Sequence, residues 1–276
     1  MSGYDMQAHG RRRRLFSEVL IMDIKRVVVW FSAGVTSAVA ARIAVNKYSG
    51  KLPVHLVNCD TGSEDDDNFR FMNDVSDWLN IAVEIVRNDK YKNTLDVYEK
   101  TGYIVGAFGA RCTLELKKRP RRKYEELATD LQVFGYDAGE RIRAERFSEN
   151  NPEVRVWFPL IEEDIDKPMA RQILAKAGIV EPRTYSLGFK NANCLKTGCV
   201  KGGMGYWNHF REIYPDRFWK MALVERKIGH SICSREEKGP SGERIKIPVF
   251  LDELDPAAGN YDAEPAFQCG LFCGQY

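Results

Sequence analysis

Short apolar runs rich in β-branched residues alternate with segments of helical periodicity through the first half of the chain. The run 26–31 reads RVVVWF and has no polar alternation, which is typical of a strand buried on both faces. Similar runs occupy 54–58, 82–86 and 131–135. The apolar stripes that predict the intervening helices are Val35, Ala38, Val39 and Ile43, and then Phe71, Val75, Trp78 and Leu79. This β-α-β-α-β order predicts an α/β fold with a doubly wound parallel sheet.

Ligands of such sheets bind beyond the carboxyl ends of the strands, so the candidate binding loops are 32–37, 59–64 and 135–146. The first loop reads Ser32-Ala33-Gly34-Val35-Thr36-Ser37 and lies between a predicted strand and a predicted helix. Its small residues let a ligand approach the backbone, and amides at a helix start favour phosphate or pyrophosphate. The spacing matches neither a Walker loop nor a dinucleotide-binding fingerprint. An ordinary tight turn with a Ser or Thr cap is the alternative interpretation.

Charged residues are unevenly distributed, although the formal net charge is only +2. Acids concentrate at 60–67 and bases at 111–123. A nearly neutral chain with one basic segment suits an anionic ligand better than general adhesion to nucleic acid. The alternative for 117–123 is a solvated helix face, and the acids at 65–67 suit a helix N-terminus. The bases that we expect to neutralise phosphate or sulfate oxygens are Lys117, Arg121, Arg143 and Arg146.

The composition along the chain predicts three parts: a basic N-terminal tail (1–24) containing Arg11–Arg14, an α/β domain (25–165), and a helical, cysteine-containing extension (166–276). No apolar run approaches the roughly 18 residues of a membrane span. The N-terminus also lacks the pattern of a secretory signal. We therefore expect no membrane association and a cytoplasmic protein.

The chain has seven cysteines, an odd number that argues against a disulfide framework. Cys194 and Cys199 form one close pair, and Cys269 and Cys273 form another near the end of the sequence. Two such pairs are typical of a four-thiolate site for zinc or an iron–sulfur cluster. A redox nucleophile or buried packing cysteines are the alternatives, and we expect packing for Cys59 and Cys233.

An aromatic group lies in the extension, where Tyr206, Trp207 and Phe210 stand beside Lys201 and Arg211. Such a group can stack on bases and grip a nucleic-acid backbone. Aromatic residues at this spacing are more often part of a hydrophobic core, and a core role is the interpretation that we favour.

Taken in order, five segments resemble the motifs of the phosphoadenosine phosphosulfate (PAPS) reductase family within the PP-loop ATP-pyrophosphatase superfamily. The loop 32–37 is similar to S-G-G-x-D/T-S, with Ala33 in place of a glycine and Thr36 at the Asp position. The segment 58–64 (NCDTGSE) resembles D-T-G-x-E. The segment 111–120 resembles C-C-x-x-x-K-x-x-P, with Arg111 in place of the first cysteine.

Two later segments extend the resemblance. The segment 135–143 (GYDAGERIR) resembles G-x-R-x-x-E-S-x-x-R and keeps Glu140, with Asp137 at an Arg position. From Phe158 to Cys199 the chain follows the family order P-L…G-I-P…Y…G-[YF]…G-C-x-x-C, here with C-x4-C spacing. The resemblance covers about residues 26 to 205.

This resemblance implies a PP-loop (HUP-like) fold and an enzyme that acts on an adenine nucleotide, either PAPS or APS, or ATP with Mg²⁺. The nucleotide-binding residues that it implies are Ser32, Ala33, Gly34, Val35, Thr36, Ser37, Asp60, Thr61, Gly135, Glu140 and Arg146. The catalytic residues that it implies are Lys117, Arg143 and Cys269. The ligands for an iron–sulfur cluster or Zn²⁺ would come from Cys112, Cys194, Cys199, Cys269 and Cys273.

Three functional hypotheses stay open at the level of sequence. In the first, Cys269 of Q-C-G-L-F, which is similar to the E-C-G-L-H of PAPS reductases, attacks the sulfur, and a thioredoxin-like partner resolves the intermediate. In the second, ATP is cleaved between its α and β phosphates, and an acceptor such as a nucleic acid is modified or thiolated. In the third, the protein is a nucleotide- and metal-binding module without turnover. A homo-oligomer is compatible with each hypothesis.

Overall fold

The computed structural model describes residues 23–106, 109–192 and 194–266. The strands are β1 (Arg26–Trp30), β2 (Val54–Cys59), β3 (Val83–Val86), β4 (Asp130–Phe134), β5 (Val156–Trp157), β6 (Cys233–Lys238) and β7 (Arg244–Val249), with a small hairpin at Val105–Gly106 and Gly109–Ala110. The main helices are α1 (Val35–Tyr48), α2 (Asp67–Leu79), α3 (Thr94–Thr101), α4 (Arg141–Asn150), α5 (Lys167–Lys176), α6 (Met204–Ile213) and α7 (Pro215–Ile228). Shorter helical pieces are Ala138–Glu140, Pro159–Glu162, Arg183–Ser186 and Leu251–Glu253.

A further helical segment, which we call the basic helix, runs through Arg111–Thr113, a π-helical turn at Leu114–Lys118, and Arg119–Tyr124. The π-helical turn shifts the hydrogen-bond ladder by one residue, so that the amide of Arg119 bonds to the carbonyl of Leu114. Such turns are uncommon and are found frequently at functional sites.

The central sheet has five parallel strands in the order β3-β2-β1-β4-β5. The predicted α/β fold is therefore confirmed. Because the chain moves outward from β1 in one direction and then returns to add β4 on the other side, the order reverses between β1 and β4. That reversal opens a crevice at the carboxyl ends of these two strands.

Alternate side chains of β1 pack into two different cores. Val27 and Val29 join α1, α2 and α5 on one face of the sheet. Val28 and Trp30 join Phe134 and other aromatic residues on the opposite face. This period of two explains why the run has no polar alternation, since both faces of the strand are covered.

A third hydrophobic cluster lies beside the sheet and combines α3, the basic helix, α6 and α7. Tyr206, Trp207 and Phe210 are almost fully buried in it, which confirms their core role. The first core also takes in α5, which lies beyond the predicted boundary near residue 165. The boundary itself stays a prediction.

Two strand regions differ from the sequence expectation. The strand β5 was not predicted, because its pairing spans only two residues beside β4. The hairpin β6–β7 was not predicted either, and the segment 236–243 supplies the end of β6 and the turn to β7. The residues of β6 are mostly charged and give no strand signal, whereas β7 alternates Ile245, Ile247 and Val249 with other residues. No helix among the described residues has the length and apolar character needed to cross a bilayer.

Candidate functional site

The loop after β1 is organised by one hydroxyl group. The Ser37 Oγ accepts from the backbone amides of Ser32 at 3.2 Å and Gly34 at 3.3 Å, and it donates to the Gly34 carbonyl at 2.9 Å. The Ser32 hydroxyl lies 3.1 Å from the same oxygen. Ser37 therefore fixes the loop conformation ahead of α1, a role that is additional to the anion contact expected for it.

Within this loop Ala33 adopts a left-handed conformation with φ of 56°. A side chain costs roughly 1–2 kcal/mol in that region, whereas glycine enters it freely. The motif S-G-G-x-D/T-S, which this loop resembles, has glycine at the position of Ala33. The left-handed backbone at this position is a physical reason for a glycine there. Here the alanine is fully buried in the left-handed conformation.

Gly135 lets the end of β4 lie directly against the start of α1. A Cβ atom added to Gly135 would stand 2.5 Å from the Ser37 Cα and 2.7 Å from the Ser37 nitrogen. Such distances are too short for any side chain, so glycine is required for this close approach. The two loops that the resemblance assigns to the nucleotide are thereby in contact.

A cavity opens at the carboxyl ends of β1, β2 and β4. It is lined by Trp30, Phe31, Ser32, Thr36, Ser37, Val57, Asn58, Cys59, Glu64, Lys117, Phe134, Gly135, Tyr136 and Arg143. Six of the residues singled out from the sequence are thus brought together: Ser32, Thr36, Ser37, Lys117, Gly135 and Arg143.

The positive charge of the cavity comes from two elements. Lys117 belongs to the π-helical turn of the basic helix. Arg143 belongs to α4, where its guanidinium lies 4.2 Å from the Tyr136 ring centroid and pairs with Glu140. Glu140 therefore holds Arg143 in place, although Glu140 is not among the residues that line the cavity.

Arg121, expected to contact an anion, is almost fully buried within the basic helix. Burial lowers its pKa to about 10, against the opposing effect of Glu125, whose carboxylate lies 3.5 Å from the guanidinium. Arg121 is not among the residues that line this cavity. An anion-binding role for Arg121 stays a prediction.

Three further residues expected from the sequence, Asp60, Thr61 and Arg146, are not among the residues that line the cavity. The Asp60 carboxylate accepts from the Gly62 amide at 2.7 Å and lies 3.4 Å from Arg87. Thr61 is buried, and its hydroxyl lies 3.5 Å from the sulfur of Cys194. Arg146 is exposed, one turn beyond Arg143 on α4, and does not line the cavity.

Glu64 is a lining residue to which the sequence analysis gave no role. Its side chain is almost fully buried. Burial raises the pKa of Glu64 to about 7, and this effect outweighs the opposing influence of Lys117. A signal was present in the sequence, since Glu64 is the last residue of the D-T-G-x-E resemblance. A carboxyl of this kind is typical of functional clefts.

Tyr185 lies against the head of α1, and its hydroxyl is hydrogen-bonded to the backbone amide of Val35. Burial raises the pKa of Tyr185 to about 12. The Lys167 ammonium lies 5.1 Å from its ring centroid, and the Arg171 guanidinium lies 5.4 Å from it. An anion at this helix start would therefore lie beside a phenol as well as beside amides. In the sequence, Tyr185 matches the tyrosine of the family order between Phe158 and Cys199, and that match gave it no role.

Three of the five cysteines expected to hold a metal surround one buried phenol. Burial raises the pKa of Tyr98 well above its ordinary value, and Cys112, Cys199 and Cys194 raise it further. The hydroxyl of Tyr98 is hydrogen-bonded to Cys112. The other two, Cys269 and Cys273, lie outside the described residues.

Among residues 23–106, 109–192 and 194–266, no group of three or more His, Cys, Asp or Glu side chains is arranged to hold a metal ion. The sulfur atoms near Tyr98 suit zinc or an iron–sulfur cluster by their chemistry, but their present arrangement does not form a site. The cysteine site therefore stays a prediction.

No protein-family model matches the chain, and no curated protein matches it. Among solved structures, the chain is similar to a phosphoadenylyl-sulfate (PAPS) reductase from Candida auris, in a phosphate complex, with 13% identity and a TM-score of 0.44 over 70% of this chain and 97% of that one. It is also similar to the U34-tRNA thiolase NcsA from Methanococcus maripaludis with its [4Fe-4S] cluster, with 16% identity and a TM-score of 0.44 over 83% of this chain and 82% of that one. The α/β fold of this chain follows from its own strand order and crossovers.

Proposed function

We propose that the protein is a PAPS reductase-like PP-loop enzyme that binds an adenine nucleotide and carries out sulfur-related chemistry. The observation that carries this proposal is the cavity at the carboxyl ends of β1, β2 and β4. It joins the loop 32–37, the basic helix and the start of α4 in one place. These are three of the segments that resemble family motifs.

The cavity has an apolar part and a charged part, as a nucleotide does. Trp30, Phe31, Val57 and Phe134 offer surface for a base. Thr36, Lys117 and Arg143 offer hydroxyl and cationic groups for phosphate or sulfate oxygens. The N-terminus of α1 adds its dipole to the same end. The nucleotide therefore lies with its anionic groups toward α1 in this proposal.

In the reductase reaction, the Cys269 sulfur attacks the sulfonate sulfur of PAPS or APS and displaces the adenosine phosphate. A thioredoxin-like dithiol then releases sulfite from the resulting S-sulfonate and becomes a disulfide. Lys117 and Arg143 would stabilise the charge that develops on the leaving phosphate. Cys269 lies outside the described residues.

One observation favours a second reaction, in which ATP is cleaved to pyrophosphate and an adenylated acceptor is thiolated. The hydroxyl of Thr61, beside the nucleotide loop after β2, lies 3.5 Å from the sulfur of Cys194. The Lys196 amide also donates to the Ser63 carbonyl at 2.9 Å. These contacts join the segment with Cys194 and Cys199 to the loop after β2.

Calorimetric titration followed by product analysis tests the proposal. We expect adenine nucleotides to bind with micromolar affinity, and PAPS or APS with a dithiol reductant to yield sulfite. If ATP yields pyrophosphate and neither PAPS nor APS yields sulfite, the second reaction is supported and the reductase reaction is contradicted. Titrations that remain flat for ATP, PAPS, APS and adenosine bisphosphate would contradict the nucleotide proposal itself.

A further inference from the structure

Glu64 is the only acid among the described residues that line the cavity, where it stands with the cations Lys117 and Arg143. Only 6% of Glu64 is exposed, so little water reaches its carboxyl group to solvate a charge. An ionised carboxylate at this place would repel the phosphate or sulfate oxygens that the proposed function brings into the same cavity. The roles given to Lys117 and Arg143 therefore leave the presence of this acid unexplained.

The groups that act on Glu64 come from three parts of the chain. The Thr61 hydroxyl, in the same loop, donates a hydrogen bond to the carboxylate. Lys117 of the basic helix and Lys196 of the extension act on it as cations, and Asp60 acts on it as an anion. Of these charged groups, Lys117 shares the cavity wall with Glu64. An anion that pairs with Lys117 therefore also changes the surroundings of Glu64.

The balance of these effects places Glu64 close to its point of titration at neutral pH. Burial raises the pKa of Glu64 to about 7, with Asp60 acting in the same direction and Lys117 acting against it. A bound anion adds a second negative charge and offsets part of the effect of Lys117, and both changes favour the protonated carboxyl group. The protonated group is neutral and can also donate a hydrogen bond. Protonation thus removes the repulsion between Glu64 and the ligand.

We propose that Glu64 takes up a proton when an anionic ligand binds, and that the resulting neutral carboxylic acid allows the anion to occupy the cavity beside Lys117. The proton comes from solvent, and the O–H bond of the carboxyl group is the only bond that forms. This inference rests on the proposed function and deepens it, because it names the residue that makes nucleotide binding depend on protons. Binding is therefore tightest below neutral pH and weakens as the pH rises through the range in which Glu64 of the complex loses its proton.

Calorimetric titration in buffers with different heats of ionisation counts the protons taken up for each ligand bound. The probe is ADP carrying a methyl ester on its terminal phosphate, because neither of its phosphates titrates near neutral pH. At about pH 7.5 Glu64 of the ligand-free protein is mostly ionised, and we expect an uptake of about half a proton per ligand. If the anion raises the pKa of Glu64 by about one unit, the affinity should fall about fivefold or more between about pH 6 and about pH 8.5.

Glu64→Gln is the matched variant, because glutamine resembles the protonated acid in size and charge. Its proton uptake should fall below about 0.1 per ligand, and most of the pH dependence of binding should disappear. Glu145→Gln, at an exposed position of α4, is the control and should leave the uptake and the pH profile unchanged. Cys59 and Tyr136 also line the cavity and can titrate, so the comparison with Glu64→Gln assigns the proton.

An uptake below about 0.1 proton by the natural protein at about pH 7.5 would overturn this inference and leave the proposed function intact. Uptake that persists in folded Glu64→Gln would overturn it as well, because another group would then hold the proton. If Glu64→Gln fails to fold, as judged by circular dichroism, the natural protein still decides, since an uptake that does not peak between about pH 7 and about pH 8 contradicts the inference. If no adenine nucleotide binds at any pH, the proposed function fails first.

Discussion

Two contacts hold the guanidinium of Arg143 at the cavity. It lies over the Tyr136 ring and pairs with Glu140, and Arg143 is one of the residues that line the cavity. Arg146, on the same helix, is exposed and outside the cavity lining. We expect Arg143→Gln to weaken adenine-nucleotide binding by about tenfold or more, because a charge-assisted contact is lost. Arg146→Gln is the control and should change the dissociation constant by less than about twofold. Equal losses in the two variants, measured by calorimetry, would contradict this assignment.

Glu64 makes the stability of the protein depend on pH in a direction that can be measured. Its folded-state pKa of about 7 lies above that of an unfolded glutamate, so the folded state prefers the protonated form. The contribution is fully present below about pH 4.5 and is lost as the pH rises through about 7. Glu64→Gln should therefore raise the free energy of unfolding at about pH 8, by at most about 3 kcal/mol, and change it little at about pH 4.5.

Urea unfolding at both pH values measures this difference. Glu145→Gln, at an exposed position of α4, is the control and should leave the pH dependence as it is in the natural protein. If Glu64→Gln and the natural protein lose stability in parallel as the pH rises, the carboxyl does not titrate in this range.

At the scale of elements, the site depends on how closely β4 approaches α1. Gly135→Ala would place a methyl group against the backbone of Ser37. We expect a loss of about 1–3 kcal/mol in unfolding free energy, together with weaker nucleotide binding, because the strand and the helix must move apart. Gly139→Ala provides a comparison in the following turn, where the added methyl meets only the Asp137 carboxylate at 3.3 Å. Comparable losses at both glycines in urea unfolding would show that the close approach is not what matters.

The central elements could be predicted because their signals are local. The strand β1 is a largely apolar run, β2 and β4 are short and mainly apolar at their centres, and α1 and α2 carry apolar stripes of helical period. The strand β5 could not be predicted, since two residues give no pattern and only the pairing with β4 defines them. The strand β6 is mostly polar, and its pairing with β7 defines it. In β7 the residues Ile245, Ile247 and Val249 do alternate with other residues, a short local signal that the sequence analysis did not use.

The same distinction applies to the candidate site. Ser32, Thr36 and Ser37 were predicted because a strand, a small-residue turn and a helix follow one another directly. Tyr185 reaches the head of α1 from a distant segment, and no local pattern reveals that contact. The burial of Arg121 is another tertiary effect, since a basic run alone does not show which of its side chains faces inward.

At the scale of the whole molecule, a buried chain of hydroxyl groups joins the sheet to the third hydrophobic cluster. The Ser63 and Thr94 hydroxyls lie 3.0 Å apart, and those of Thr94 and Thr197 lie 2.8 Å apart. The chain begins in the loop after β2 and ends between Cys194 and Cys199. The loop after β2 and the cysteine segment are thereby parts of one packed structure, as the proposed nucleotide-dependent sulfur chemistry would require.

The crystal structure of the protein soaked with ATP, or with adenosine 3′,5′-bisphosphate, tests the central claim most directly. The account predicts density in the cavity between β1 and β4, with the base against the apolar lining residues and an anionic group within hydrogen-bonding distance of Lys117, Arg143 or the start of α1. Nucleotide density bound elsewhere, with this cavity left to solvent at saturating ligand, would contradict it.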